Sequence, residues 1–196
     1  MSITLTLLGD VRWHGVPVVG ERPQALLAAL AARDCRPVGS AELIELVWGE
    51  AAPSNGVKGL QVLVSRTRSA CGVEAIVREG AGYRLGAGPD EVDSSRLSGL
   101  VRDAAAALDG DPARAEALAR EALALADGDP AGGDNAARGG PLAEIRRGAA
   151  TDAQAAGVVL ARAASRTGGH VRALPYLEAA YTRAPHDESL LADLLR

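Results

Sequence analysis

Across Gly72 the hydrophobic period of the chain changes from helical to extended, and this change limits the fold more than any other feature of the sequence. Before it, Val57, Leu60, Leu63 or Val64, Thr67 and Cys71 recur at the spacing of one inward helix stripe. After it, Ala75-Ile76-Val77-Arg78, the glycine turn Glu79-Gly80-Ala81-Gly82 and Tyr83-Arg84-Leu85 read as a β-hairpin. A helix that leads directly into a hairpin needs partners for its apolar stripe, and the residues ahead of it supply them.

Ile3, Leu5 and Leu7 alternate with polar residues, Gly9-Asp10 turns the chain into Val11 and Trp13, and Val16-Pro17-Val18-Val19 follows His14-Gly15. These predict a small antiparallel opening sheet. A helix is expected from about Pro23, with Leu26, Leu27 and Leu30 inward and Pro37 as its stop. Ser40 is the expected cap of a second helix holding Leu43, Ile44, Leu46, Val47 and Trp48, which Gly49 ends. Pro53-Ser54-Asn55-Gly56 supplies the turn into the third helix, Val57 to Cys71.

Charge singles out that third helix. Its outward face holds Lys58, Gln61, Ser65, Arg66 and Arg68, with no acidic residue between Lys58 and Arg68. A surface helix that serves only solubility mixes both signs. The net charge of -4 hides this, because the acidity sits in residues 91–196 while residues 54–84 carry a basic excess.

Gly86 to Asp90 reads as a linker, and from Asp93 onward the pattern is helical and alanine-rich. Helices are expected at about 93–108, 112–126, 141–167, 170–184 and 187–195, with Gly128 to Gly140 as one long loop. Ala115, Ala119 and Ala122 share their spacing with Ala173, Leu177 and Ala180, and small residues at that spacing let paired helices approach closely. The second set resembles the back helix of a tetratricopeptide repeat, at an offset that is not that repeat's usual length.

Sheet, helix, helix, basic helix and hairpin, in that order, form the layout of a winged helix, whose third helix enters the major groove of DNA while the hairpin lies on the backbone. The expected fold is therefore an α+β winged-helix domain over residues 1–90, followed by an all-α tetratricopeptide-like helical domain over 91–196. Arg66 and Arg68 can donate to phosphates or bidentately to guanine, and Gln61 can pair with adenine. Lys58 and Ser65 can hold phosphates, and Arg78 and Arg84 can anchor the wing.

Residues 1–90 resemble the OmpR-type winged helix, and the whole chain resembles the Streptomyces antibiotic regulatory protein family of transcriptional activators. The resemblance rests on Leu7-Leu8-Gly9, the Arg22 to Leu30 helix, Glu42-Leu43-Ile44-Glu45-Leu46-Val47-Trp48-Gly49, Leu60-Gln61-x-Leu63-Val64-Ser65-Arg66-x-Arg68 and Gly82-Tyr83-Arg84-Leu85. Asp93 and the helical half resemble the bacterial transcriptional activation domain that follows in that family. Thr67 departs from the usual leucine, and Ala70-Cys71 is a mild departure. The array ends at Leu194-Leu195-Arg196 before the family's last repeats, as in a short member or a cut one, and no receiver domain fits ahead of the winged helix within this chain. The resemblance adds Tyr83 to the expected DNA-binding set. It implies promoter direct repeats as the target, two subunits side by side as a homodimer on DNA, and RNA polymerase with its sigma factor as partner.

Enzyme readings find no handle: the chain lacks a Walker A loop, a strand-coupled G-x-G-x-x-G and a G-x-S-x-G. His14, His170 and His186 are scattered, and Asp109-Gly110-Asp111 and Asp127-Gly128-Asp129 fit helix caps ahead of Pro112 and Pro130 better than a calcium loop. No enzyme, cofactor or metal is expected. Cys35 and Cys71, far apart, read as thiols of a reducing cytoplasm, and no apolar run reaches the roughly 18 residues of a membrane helix. Two functions remain: a DNA-binding activator, or a protein-interaction module whose winged helix no longer binds DNA.

Overall fold

The computed structural model describes residues 2–126 and 139–169, together with Val171, residues 174–176, Glu178 and Thr182. A mixed α/β winged-helix part is followed by an all-α part, in the expected order.

The opening sheet is an antiparallel meander of β1 (Leu5–Thr6), β2 (Arg12–Trp13) and β3 (Val16–Pro17). Leu5 faces Trp13, and Trp13 faces Val16. His14 and Gly15 both have positive φ, the backbone that a two-residue hairpin loop with the sheet's own twist requires. Leu5, Leu7, Val11, Trp13 and Val18 are buried in one core with the helices that follow.

Helix α1 (Glu21–Ala31) is that core's centre, since every residue from Leu26 to Ala31 is buried. It starts two residues ahead of the expected Pro23, which a first helical turn tolerates because the N–H that proline lacks would have no intrahelical partner there. Pro37 does not end it. The chain leaves the helix at Ala32, and Asp34 and Cys35 in left-handed backbone turn it back into β4 (Val38–Gly39). Helix α2 (Ser40–Trp48) has no side-chain cap, because the Ser40 hydroxyl donates to the Ala81 carbonyl at 2.9 Å instead. The expected cap at Ser40 is thus corrected: its hydroxyl ties α2 to the hairpin.

Helix α3 (Gly56–Cys71) is capped by Asn55, whose side-chain oxygen accepts the Lys58 N–H at 3.0 Å. It buries Leu60, Leu63, Val64 and Thr67. Gly72, at φ +105, ends it where other residues would be strained. The hairpin of β5 (Ile76–Glu79) and β6 (Gly82–Leu85) follows, and β6 also pairs with β4, so the wing sheet runs β4-β6-β5. That third strand was not legible in a two-residue segment beside Pro37. Residues 86–90, read as a linker from the sequence, are held to this unit at both ends: the Gly86 N–H donates to Ala75, and just beyond Asp90 Glu91 bonds Thr4 and Gly88 while Val92 is buried and bridges Leu5.

The helical part contains α4 (Asp93–Ala107), α5 (Pro112–Ala126) and α6 (Pro141–Arg166) among the described residues. Ala104, Ala115, Ala119, Val159, Leu160 and Ala163 form its core, and Ala122 is also buried, so the small-residue stripe expected on α5 does face its neighbours. Asp111 caps α5 through the Arg114 N–H at 3.0 Å, and Asp109 pairs with Arg166 at 2.7 Å. The matching stripe at Ala173, Leu177 and Ala180, the helix expected at 187–195, Asp127, Asp129, His170 and His186 lie outside the described residues, and the described residues of the helix expected at 170–184 are helical.

Packing divides the chain into two compact units. One holds the described residues up to Arg96 together with 139–147. The other holds the described residues of Leu97–Gly128 and Gly148–Arg196.

Candidate nucleic-acid interface

Helix α3 presents its polar face because its apolar stripe is consumed by the core. Lys58, Gln61, Ser65 and Arg66 are all exposed, in two rows three and four residues apart. Neither Lys58 nor Arg66 has an acidic partner among the described residues. Cations left unpaired on a helix of this width suit an anionic groove.

The remaining expected residues divide. Arg78, on β5, is exposed and stands opposite Tyr83 in the hairpin register. Arg68 is half-buried, and its Nε and Nη2 donate to the Ile76 carbonyl at 2.8 and 2.6 Å, which straps the last turn of α3 to β5. Arg84 donates to Glu79 at 2.8 Å and to the Leu85 carbonyl at 3.0 Å, holding the hairpin's own strands together. Tyr83 is only 7% exposed, so its ring is part of the core rather than of a surface. Five of the eight residues are therefore free to meet a ligand in this structure: Lys58, Gln61, Ser65, Arg66 and Arg78.

Two residues change their expected places. Val57, assigned to the inward stripe, is 54% exposed, since the first turn of α3 extends past the core. Val62, on neither face in the sequence reading, is 44% exposed and stands between Lys58 and Arg66, four residues from each. Counting helical positions without regard to residue type would have found it. Val57, Leu60, Gln61, Ser40, Arg78 and the Ala81–Tyr83 segment line a cleft of about 250 Å³ between α3 and the hairpin.

Glycine shapes the wing where β6 meets β4. A Cβ on Gly82 would lie 2.0 Å from the Val38 carbonyl oxygen, so only glycine lets β6 approach β4. The other polar groups singled out by sequence are occupied structurally. His14 packs edge-on against Trp13 at 5.3 Å, and Cys35 is buried. No group of His, Cys, Asp and Glu among the described residues is placed to hold a metal ion, and no helix of theirs is long and apolar enough to cross a membrane.

Residues 92–196 match the family model of the bacterial transcriptional activator domain. The chain is 31% identical over 110 residues to the regulatory protein AfsR of Streptomyces griseus, and 35% identical over 111 residues to AfsR of Streptomyces coelicolor. Each alignment covers 54% of this chain and 11% of that protein. It is 29% identical over 122 residues to the transcriptional regulator RedD of Streptomyces coelicolor, covering 56% of this chain and 35% of RedD. The chain thus spans about a tenth of the AfsR proteins and about a third of RedD. Among solved structures, Mycobacterium tuberculosis EmbR in complex with a low affinity phosphopeptide superposes with a TM-score of 0.74 at 24% identity, over 98% of this chain and 53% of that one. That likeness carries the fold.

Proposed function

The chain belongs to the bacterial transcriptional activator domain family, with the winged helix ahead of it that marks the Streptomyces antibiotic regulatory proteins, and from this premise we propose that it is a sequence-specific DNA-binding activator of transcription. Residues 1–90 are the DNA-binding domain and 91–196 the activation domain in this reading. Its main support is the acid-free outward face of α3, where Lys58 and Arg66 stand without ion-pair partners beside an exposed Gln61 and Ser65.

In this mechanism α3 lies in the major groove. Arg66 donates to guanine or phosphate, Gln61 reads adenine through both its donor and its acceptor, and Lys58 and Ser65 hold the backbone. Arg78 reaches the backbone from the wing. Arg68, Arg84 and Tyr83 serve the interface indirectly: Arg68 straps α3 to the hairpin, Arg84 holds the hairpin's two strands together, and Tyr83 packs in the core beneath. Two copies occupy promoter direct repeats side by side, and the helical half recruits RNA polymerase through its sigma factor, in the cytoplasm.

The test is site selection from a GC-rich promoter pool, followed by affinity across a salt series. A spaced direct repeat should be enriched, and log affinity should fall steeply and linearly with log salt. Lys58→Ala should lower that slope by about 1, as expected when one phosphate contact is lost. Absence of enrichment, together with an affinity indifferent to salt, would refute DNA binding and leave a protein-interaction module.

A further inference from the structure

Beyond β1 the chain bends at Leu7–Gly9, and its backbone groups there leave the opening sheet. Buried peptide groups need partners, and two side chains from far along the sequence provide them. Asp93, 3% exposed at the start of α4, accepts the Leu7 N–H with both oxygens at 2.9 Å, the Leu8 N–H at 3.0 Å and the Ser94 N–H at 2.7 Å. Arg146 in α6 donates its Nε to the Leu7 carbonyl at 3.0 Å and its Nη2 to the Gly9 carbonyl at 2.5 Å. One side chain takes the donors of the corner and the other takes the acceptors.

The apolar surroundings point the same way. Leu142 and Ile145, one turn or less from Arg146, pack on the core that holds Leu5 and Leu7. Burial raises the Asp93 carboxyl above its ordinary range and lowers the Arg146 guanidinium below its own, and the charge of each opposes the shift in the other. Removing Arg146 leaves Asp93 buried without its counter-charge, and removing either leaves the peptide groups it had satisfied without a partner.

We propose that Asp93 and Arg146 form a two-sided latch on the Leu7–Gly9 corner, which makes the first turns of α6 a working part of the DNA-binding unit and opens that corner whenever α6 shifts or frays. The residues that form the latch all lie in one compact unit, which takes α6 in as far as Arg147. The latch stands whether or not α3 reads DNA, since none of its groups belongs to the α3 face.

Amide hydrogen exchange on the full chain tests it. In the wild type at rising sub-denaturing urea, the Leu7 and Leu8 amides should lose protection together with those of residues 143–147, as one cooperative unit. In Arg146→Met, which keeps the side chain's apolar stem, exchange at Leu7 and Leu8 should rise at least tenfold while α2 and α5 are unchanged. Arg147→Met, one residue on, should leave the corner protected. Corner amides that stay protected after 143–147 have exchanged would overturn the latch, as would wild-type exchange in Arg146→Met. Should that variant fail to fold, the wild-type urea series decides alone.

Discussion

Thr67, wholly buried in α3, donates its hydroxyl to the carbonyl oxygen of Leu63 one turn back, at 2.9 Å. The helix therefore meets the demand of a polar residue on its inward face without any partner from another element. That carbonyl sits within the helix ladder, so the extra bond adds little and tends to bend the helix. Thr67→Val keeps the shape and removes the hydroxyl, and we expect it to raise stability by about 0.5 to 1 kcal/mol. The urea midpoint measures this, and a loss of stability would show that the hydroxyl has a structural role the geometry does not reveal.

Arg66 and Arg68 stand two residues apart and should behave oppositely. Arg66 is exposed and unpaired, so Arg66→Ala should weaken DNA binding at least tenfold with the thermal midpoint unchanged. Arg68 ties α3 to Ile76, so Arg68→Ala should cost about 1 to 2 kcal/mol of stability, read by denaturant unfolding. Equal loss of stability in the two variants would count against this division of labour.

Gly82→Ala should separate β6 from β4, because a methyl group cannot occupy a point 2.0 Å from the Val38 oxygen. A cost of about 3 kcal/mol is expected, at the upper end for overpacking. Gly80→Ala, at φ +57 with open space around it, should cost about 1 kcal/mol through its left-handed backbone alone. Thermal melts of the two variants make the comparison, and a milder effect at Gly82 would argue against the three-stranded wing.

Burial, aided by the nearby Asp34 and Glu91, pushes the Cys35 thiol up from its ordinary 9.0 to about 11. The folded state therefore holds this proton where the unfolded chain releases it. The resulting stabilisation is complete below about pH 9 and is lost as pH rises through about 11. Between those limits the wild type should lose more stability than Cys35→Ala, measured by denaturant midpoints at matched pH. Parallel losses in the two proteins would place the thiol in a more open setting.

Much of the fold could be read locally. The bounds of α3, α4, α5 and α6 fell within a residue or two of expectation, because each carries a long periodic stripe and a cap or stop residue at its end. Short elements were less legible. β4 has two residues, and its existence depends on Gly82, which lies more than forty positions away, accepting a close neighbour. Ser40 has the identity of a cap, yet its hydroxyl is drawn to Ala81 because the hairpin carbonyl happens to lie within reach. Of the proposed interface, the outward positions of Lys58, Gln61, Ser65 and Arg66 follow from helical spacing. The capture of Arg68 by Ile76 and of Arg84 by Glu79 does not, since spacing says which way a side chain leaves the helix or strand and nothing of which acceptor awaits it.

By itself the sequence determined the order of elements, the core stripe of each helix and the acid-free face of α3, because these depend on periodicity and on charges close together along the chain. Only the tertiary structure decided which cations remain free, where Val57 and Val62 stand, and how Asp93 and Arg146 close on the Leu7–Gly9 corner from 86 and 139 residues away. The reason is physical. A periodic stripe is a property of one element, whereas the partner of a buried peptide group is fixed by which distant segments the core brings together.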